Sequence, residues 1–510
     1  MIRTEPERKT NRRNVVSFNG HRVTSFGGRS AKVPALERKL GLAEAVGLSL
    51  SIVGPTMAMA FNVSLVVRAA GSAAPLAFAI GALALSVVAL SFVSFSRRVA
   101  HAGSAYAYIG YTFGWRWGFV AGWTLLLTYL TYAAGVSALI GNFLQAAAQN
   151  SGIHLRGLWL AFSVAGLLLA GFCAYRDVKL AGRLMLLLEG ISVFAILFLC
   201  VVVLIRVGAS HGFSAEPFIP VPGLKAWSGI GYALVFCVLS FAGFEGATTL
   251  GEETRNPHRS IPIAILATCA LAGVFYVFVT YAQVIGFGIG ATTGLANSSA
   301  PLNELAVRYV SRPFATAIDL AAAISAFSCA LGSLTAASRL LFALGRDRLG
   351  LQVAPAHQLS GGAGRTVVLC SLFCLALLLL WAPSIGPTDY CGYLVTIGSL
   401  ALILVYIGVN AAELTVSFRA RRTAWSMCGL AGTGMLFWPL YNSLYPVPSY
   451  PNNRWPYFVG AWVIGGVALP FLFPVLRTAS YRDARDVWKS KTLPSPTNRE
   501  SSHCKPHKEI

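Results

Sequence analysis

Twelve apolar stretches, each long enough to cross a bilayer as a helix, recur along this 510-residue chain. A helix rises 1.5 Å per residue, so about 20 apolar residues cover the roughly 30 Å of hydrocarbon in a membrane. The stretches fall at 42–67, 74–95, 118–146, 158–174, 183–206, 227–250, 262–287, 314–341, 366–382, 389–412, 423–443 and 457–476. Charged residues make up only 12% of the chain, about half the share of a water-soluble domain. Nineteen acids leave too little charge to solvate a globule of this size, which argues against a soluble enzyme. The chain therefore reads as an all-α polytopic membrane protein with twelve transmembrane helices.

The division that follows is a basic cytoplasmic N-terminal tail at 1–41, a twelve-helix domain at 42–476 and a largely disordered cytoplasmic C-terminal tail at 477–510. An even number of crossings puts both ends on one side. With the N-terminus in the cytoplasm, 33 of the 40 Lys and Arg residues fall on the inner side. That asymmetry is the positive-inside rule, and it places the multi-pass chain in a bacterial inner membrane or a plasma membrane. The net charge of +21 is thereby spent on loops and tails, near lipid headgroups, and does not call for nucleic acid. The first apolar run is too long for the core of a signal peptide. Nine of the ten cysteines lie in apolar stretches, and none has zinc-ligand spacing, so neither a metal nor a cofactor is expected.

Two stretches are interrupted. The first contains Ser51-Ile-Val-Gly-Pro-Thr-Met57 near its middle. Proline removes a donor and clashes with the preceding turn, and in hydrocarbon such a break is tolerated where it lines a polar cavity. Pro55 also suits the first turn of a new half-helix, whose positive end would point to the midplane and could hold a carboxylate. The sixth stretch contains Ser240-Phe-Ala-Gly-Phe-Glu-Gly-Ala-Thr-Thr-Leu250, with Glu245 between two glycines. Each break by itself is also compatible with a simple kink or with close packing of small residues. Five helices separate them, so they cross in opposite directions, as in the two halves of an inverted-repeat transporter.

The longer segment Ser240 to Pro262, with its Gly-Phe-Glu core, Glu252-Glu253 pair, Asn256-Pro257 and Ile261-Pro262, resembles the sixth-helix signature of the amino acid–polyamine–organocation (APC) permeases. Gly103-Ser-Ala-Tyr-Ala-Tyr-Ile-Gly-Tyr-Thr-Phe-Gly114 and Ser338-Arg-Leu-Leu-Phe-Ala-Leu-Gly-Arg-Asp-Arg-Leu-Gly350 are similar to further family patterns. The resemblance implies a LeuT-type fold of five-plus-five inverted repeats with helices 1 and 6 broken. It implies secondary transport of an amino acid or related amine, a small-molecule substrate, by alternating access coupled to H+ or Na+ or to exchange.

By position in that pattern, Val53, Gly54, Pro55 and Thr56 belong to the substrate pocket, with Pro55 removing one carboxylate donor. Phe241, Ala242 and Gly243 match the unwound stretch whose carbonyls would face a substrate amine, and Phe244 would gate the ligand. Glu245 has two readings: it neutralises an amine or carries a proton, or it braces the second half-helix. Glu189, roughly 9 Å into the fifth stretch, is an ion-coupling candidate where some relatives carry Lys; its alternative is a pair with Arg183. Ser325 and Ser328, three apart on one face, are further coupling candidates, or simply bond to backbone. Glu252 and Glu253, beside Arg255 and Arg259, read as a latch of the inner gate or as loop solvation. A polyamine or other organic-cation permease is the nearest alternative. A polytopic membrane enzyme is the alternative of a different class, but the eight histidines are scattered without a metal or acid–base pattern.

Overall fold

The computed structural model describes residues 41–99, 103–153, 157–176, 178–220, 224–251, 254–349 and 359–472. The expected tails, Gly41 excepted, lie outside the described residues. Sixteen α-helices occur among the described residues: α1 (Leu42–Val53), α2 (Pro55–Ala70), α3 (Ala74–Ser96), α4 (Ala105–Phe113), α5 (Trp115–Asn150), α6 (Leu158–Arg176), α7 (Val178–His211), α8 (Leu224–Ser240), α9 (Pro257–Phe287), α10 (Thr292–Asn297), α11 (Pro301–Tyr309), α12 (Arg312–Leu349), α13 (Leu359–Ile385), α14 (Pro387–Arg419), α15 (Thr423–Asn442) and α16 (Trp455–Leu472). A 3-10 segment, Phe244–Leu250, follows α8. The described residues of the apolar stretches are helical apart from short interruptions at Gly54 and at 241–243, so the fold is all-α where it is described. Gly103–Gly114, which lies between the second and third apolar stretches, carries the short helix α4, packed against α5 and α14.

Among the described residues ten stretches are long and apolar enough to cross a membrane, and one of them is the 55-residue run Leu42–Ser96. A single helix of that length would be about 80 Å long, far more than a bilayer is thick. The run is therefore divided, at Gly54 and again at the 3-10 turn Gly71–Ala73. Burial sorts the helices. The apolar window of α5 is entirely enclosed, whereas those of α6, α7, α13 and α16 bury less than a third of their residues. The outward faces of these four carry large apolar side chains such as Leu168, Phe194, Leu380 and Ile464. In water such faces would be an aggregation hazard; against lipid they are the expected exterior. The chain is a multi-pass membrane protein.

At the centre, α5 packs on α12, α14 and α6, and α3 packs on α9. The broken pair lies among them: α1 touches α7, α9, α12 and the 3-10 segment, and α2 touches α8 and α12. Small residues bring the backbones close, as helices packed without a hydrophobic driving force require. At the α5–α6 crossing a Cβ on Gly141 would collide with the Trp159 carbonyl oxygen and the Ser163 hydroxyl. Far from the breaks, Trp123 of α5 and Trp462 of α16 stack at 4.6 Å, and each indole N–H donates to the other's carbonyl, at 3.1 and 3.0 Å.

The α5–α6 contact is directly testable. Gly141→Val should lower stability by about 1–3 kcal/mol through overpacking, seen as a lower unfolding midpoint of the detergent-solubilised protein. An unchanged midpoint would mean that the two helices do not cross at that point.

Candidate functional site

The first break is built by two adjacent residues. Helix α1 ends at Val53, and Gly54 adopts φ 52°, ψ 59°, a left-handed conformation that glycine takes without steric cost. Its N–H donates to the Leu50 carbonyl at 2.9 Å. Pro55 then opens α2 at the one position where a missing N–H costs little.

The remaining donors of this new helix end can be followed one by one. Thr56 N–H donates to Glu189 Oε1 of α7 at 3.0 Å, and Met57 N–H donates to Ser325 Oγ of α12 at 3.1 Å. Ala58 N–H donates to the Gly54 carbonyl at 2.8 Å. The Ser325 hydroxyl in turn donates to Glu189 Oε1 at 2.9 Å. A protein carboxylate thus occupies the place where the sequence suggested that a substrate carboxylate would bind. Ser328, one turn along α12, is buried but stands outside this set of bonds. Glu189 Oε2 and the Thr56 hydroxyl have no hydrogen-bond partner among the described residues. The alternative partner Arg183 has a side chain outside those described, as do Glu252 and Glu253.

The second break faces the first. Helix α8 stops at Ser240, and its last carbonyls are met by side chains: Tyr132 OH donates to Leu239 at 3.3 Å and Tyr276 OH to Ser240 at 2.6 Å. Phe241 and Gly243, expected to offer free carbonyls, already accept from Phe244 and Gly246 N–H groups at 3.3 and 2.8 Å. Gly243 has φ 116°, and a Cβ there would lie 2.5 Å from Ile52 Cγ2 and 2.8 Å from Val53 N. The two gaps are therefore in van der Waals contact. Ile52 is gripped by three glycines, since Cβ atoms on Gly246 and Gly332 would come within 2.6 and 2.7 Å of it. Ser49 of α1 stitches the same interface, donating to the Phe244 carbonyl at 3.1 Å and accepting from Ala247 N–H at 2.9 Å.

Glu245 is fully buried and held by three donors: Tyr129 OH at 3.1 Å, Tyr406 OH at 2.7 Å and Gly243 N–H at 3.1 Å. No cation is among these partners, so the geometry is that of a brace tying the break to α5 and α14. Phe244 is likewise enclosed, with its ring 5.4 Å from that of Phe92 and 5.3 Å from that of Tyr406. All nine residues expected at the pocket, together with Glu189 and Ser325, are gathered around one junction.

An open cleft of about 330 Å3 approaches this junction from the side where α2 ends and α8 and α14 begin. Its walls include Phe61, Ser64, Arg68, Phe236, Asp389 and Tyr393. Phe61 and Phe236 each lie five residues from Thr56 and Phe241, so the cleft stops about 7.5 Å of helix short of the breaks. The opposite side is pinned. Arg98, beyond α3, pairs with Glu413 of α14 at 3.2 Å, and Glu413 also accepts from Ser94 at 2.8 Å and Ser417 at 2.5 Å. Sequence reasoning missed this lock, because Glu413 sits just past the tenth apolar stretch and Arg98 looked like an ordinary loop charge. It also missed Tyr276 and Tyr406, whose hydroxyls acquire meaning only from distant carbonyls and carboxylates. A signal for Tyr129 and Tyr132 existed in their spacing of three on one helix face.

Comparison with known proteins places this geometry. A family model described as amino acid permease matches residues 46–441. The branched-chain amino acid permease BcaP of Lactococcus lactis is 25% identical over 79% of this chain and 87% of its own length. Human cationic amino acid transporter 4 is 30% identical, over 41% of this chain and 35% of its own length. The low-affinity putrescine importer PlaP of Escherichia coli K12 is 27% identical, over 54% of this chain and 59% of its own.

If Glu245 is a brace, Glu245→Gln turns one acceptor into a donor facing other donors. Leaving a buried group unsatisfied costs about 1–3 kcal/mol, so the variant should unfold at lower temperature and lose uptake of neutral and cationic substrates by the same factor. A loss confined to cationic substrates would make Glu245 a substrate counter-ion instead.

Proposed function

The chain belongs to the amino acid permease family, and from that premise we propose that it moves an amino acid across the cell membrane by alternating access, with its substrate held where the two breaks meet. The single observation that carries this reading is the junction itself. Two helices are interrupted at Gly54 and Gly243, and the interruptions touch through Ile52 and Val53. Interrupted helices in a bilayer need a reason to persist, and a polar binding site at their meeting point is one. On this reading the substrate contacts Val53, Gly54, Pro55 and Thr56 on one side and Phe241, Ala242, Gly243 and Phe244 on the other. Glu245 holds the second side in shape.

The same reading divides the chain into twelve crossings. The broken run Leu42–Ser96 contributes two, and the 20-residue helix α15 completes the set. Crossings one to five and six to ten form the inverted halves of a LeuT-type fold, and both termini are cytoplasmic. The cleft lined by Arg68 and Asp389 is then the outer vestibule, and Arg98–Glu413 closes the inner side. The described arrangement is open outward as far as Phe61 and Phe236, with its centre packed shut. Opening inward requires Arg98 and Glu413 to separate and the junction to loosen. No nucleotide-binding loop is present in the sequence, so the driving force is an ion gradient or exchange.

One observation favours a second substrate class. Pro55 has no N–H, and the next three donors of α2 are engaged, which leaves no vacant place for a substrate carboxylate unless one of them is released. A polyamine or another organic cation makes no such demand.

Counterflow in proteoliposomes tests the transport reading. Vesicles containing the purified protein and loaded with unlabelled amino acid should take up external labelled amino acid transiently above equilibrium. Absence of counterflow for every amino acid would overturn amino acid transport, and counterflow with putrescine alone would establish the second class.

A further inference from the structure

We infer that Glu189 and the carboxylate of a transported amino acid exclude one another at the N-terminus of α2, so that substrate entry displaces Glu189 and loads it with a proton. The inference rests on the permease reading and specifies how its central site is coupled.

The accounting of donors carries it. A helix start presents four N–H groups without intrahelical partners. At α2 the first, Gly54 N–H, is taken by the Leu50 carbonyl at 2.9 Å, and the second is absent because residue 55 is proline. The two that remain, Thr56 and Met57, donate to Glu189 at 3.0 Å and to Ser325 at 3.1 Å, and Ser325 is itself bonded to Glu189 at 2.9 Å. One carboxylate therefore controls both useful donors. The partial positive charge of a helix start, roughly half an elementary charge, suits one anion. A second carboxylate arriving within a few ångströms meets like-charge repulsion as well as a lack of donors.

Displacement leaves Glu189 poorly served as an anion. It is 3% exposed, its Oε2 has no hydrogen-bond partner among the described residues, and losing Thr56 N–H would remove one of its two bonds. An ionised carboxylate in that state is strongly disfavoured. A proton resolves this. The Thr56 hydroxyl, also buried and with no other partner among the described residues, stands beside the carboxyl, so a protonated Oε2 has an acceptor at hand. The other titratable groups near Glu189 are Tyr276 of α9 and Cys329 of α12. Their O–H and S–H donate to the Ser240 and Ile52 carbonyls, at 2.6 and 3.0 Å, and neither supplies a positive charge.

The step is a protonation alone. One O–H bond forms on Glu189 with a proton from water in the cleft, and the helix end carries one negative charge before and after. The outcome is co-transport of one proton with each carboxylate-bearing substrate. An amine without a carboxylate has nothing with which to displace Glu189 and binds without a proton.

The test is calorimetric titration of the full-length protein in nanodiscs, each run in two buffers of different ionisation enthalpy. The probes are leucine and arginine, with their decarboxylated counterparts isoamylamine and agmatine. In the pH range where Glu189 is ionised in the free protein, read from the onset of the pH dependence of amino acid affinity, the inference expects uptake of about one proton per amino acid bound and none for the amines. Amino acid affinity should then weaken up to tenfold per pH unit once Glu189 ionises in the free protein, since the ionised group is the competitor. In Glu189→Gln the proton uptake should vanish and the affinity should become flat with pH. Amino acid binding without proton uptake, or equal uptake with the amines, would overturn the inference and leave the permease reading standing. These outcomes are decided on the unmodified protein, so they hold even if the variant fails to fold. Failure of all four probes to bind, together with absence of counterflow, would overturn the permease reading and this inference with it.

Discussion

A backbone that stops being helical inside a bilayer exposes N–H and C=O groups that hydrocarbon cannot satisfy, at a cost on the order of several kcal/mol each. Much of the centre of this protein can be understood as the answer to that cost. Around Gly54 the answer is a carboxylate from α7 and a hydroxyl from α12. Around Gly243 it is tyrosine hydroxyls from α5 and α9 at the end of α8, a serine from α1 and the side chain of Glu245. The helices that supply these groups are those that enclose the broken pair. The enclosure and the break thus require each other: without the breaks these buried polar groups would be stranded, and without the groups the breaks would leave backbone N–H and C=O groups buried and unsatisfied.

The two sides of the junction are satisfied in different ways, and the difference bears on mechanism. Glu245 has three donors on its two oxygens and joins three helical elements. Glu189 has two donors on one oxygen, and its other oxygen has no partner among the described residues. Two intramembrane acids with similar burial therefore differ in how fully they are hydrogen-bonded, and the proposed roles of fixed strut and displaceable group rest on that difference.

Local chemistry accounts for what the sequence revealed and what it did not. Apolar length announced the ten stretches that are long and apolar enough to cross a membrane among the described residues, and Gly54-Pro55 announced the first break, because both signals lie in consecutive residues. Glu189 and Glu245 drew notice as acids inside apolar runs. The division of labour between them depends on Tyr129, Tyr406 and Ser325, which are distant in sequence and ordinary in type. Helix α4 was hidden because its nine residues are too few to show as an apolar run. Arg98–Glu413 was hidden because each partner, taken alone, looks like surface charge near a helix end.

The grip on Ile52 has an evolutionary consequence. Gly243, Gly246 and Gly332 come from two separate stretches of chain, yet each leaves room for the same branched side chain. Neither Gly246 nor Gly332 has space for even a methyl group unless residue 52 becomes smaller or moves, and Gly243 is closed in by the Val53 nitrogen as well. Drift at these four positions is therefore tied together. Across descendants of this gene, a bulkier residue at 246 or 332 should accompany a trimmed one at 52, and the junction would keep its contact surface while its individual letters change.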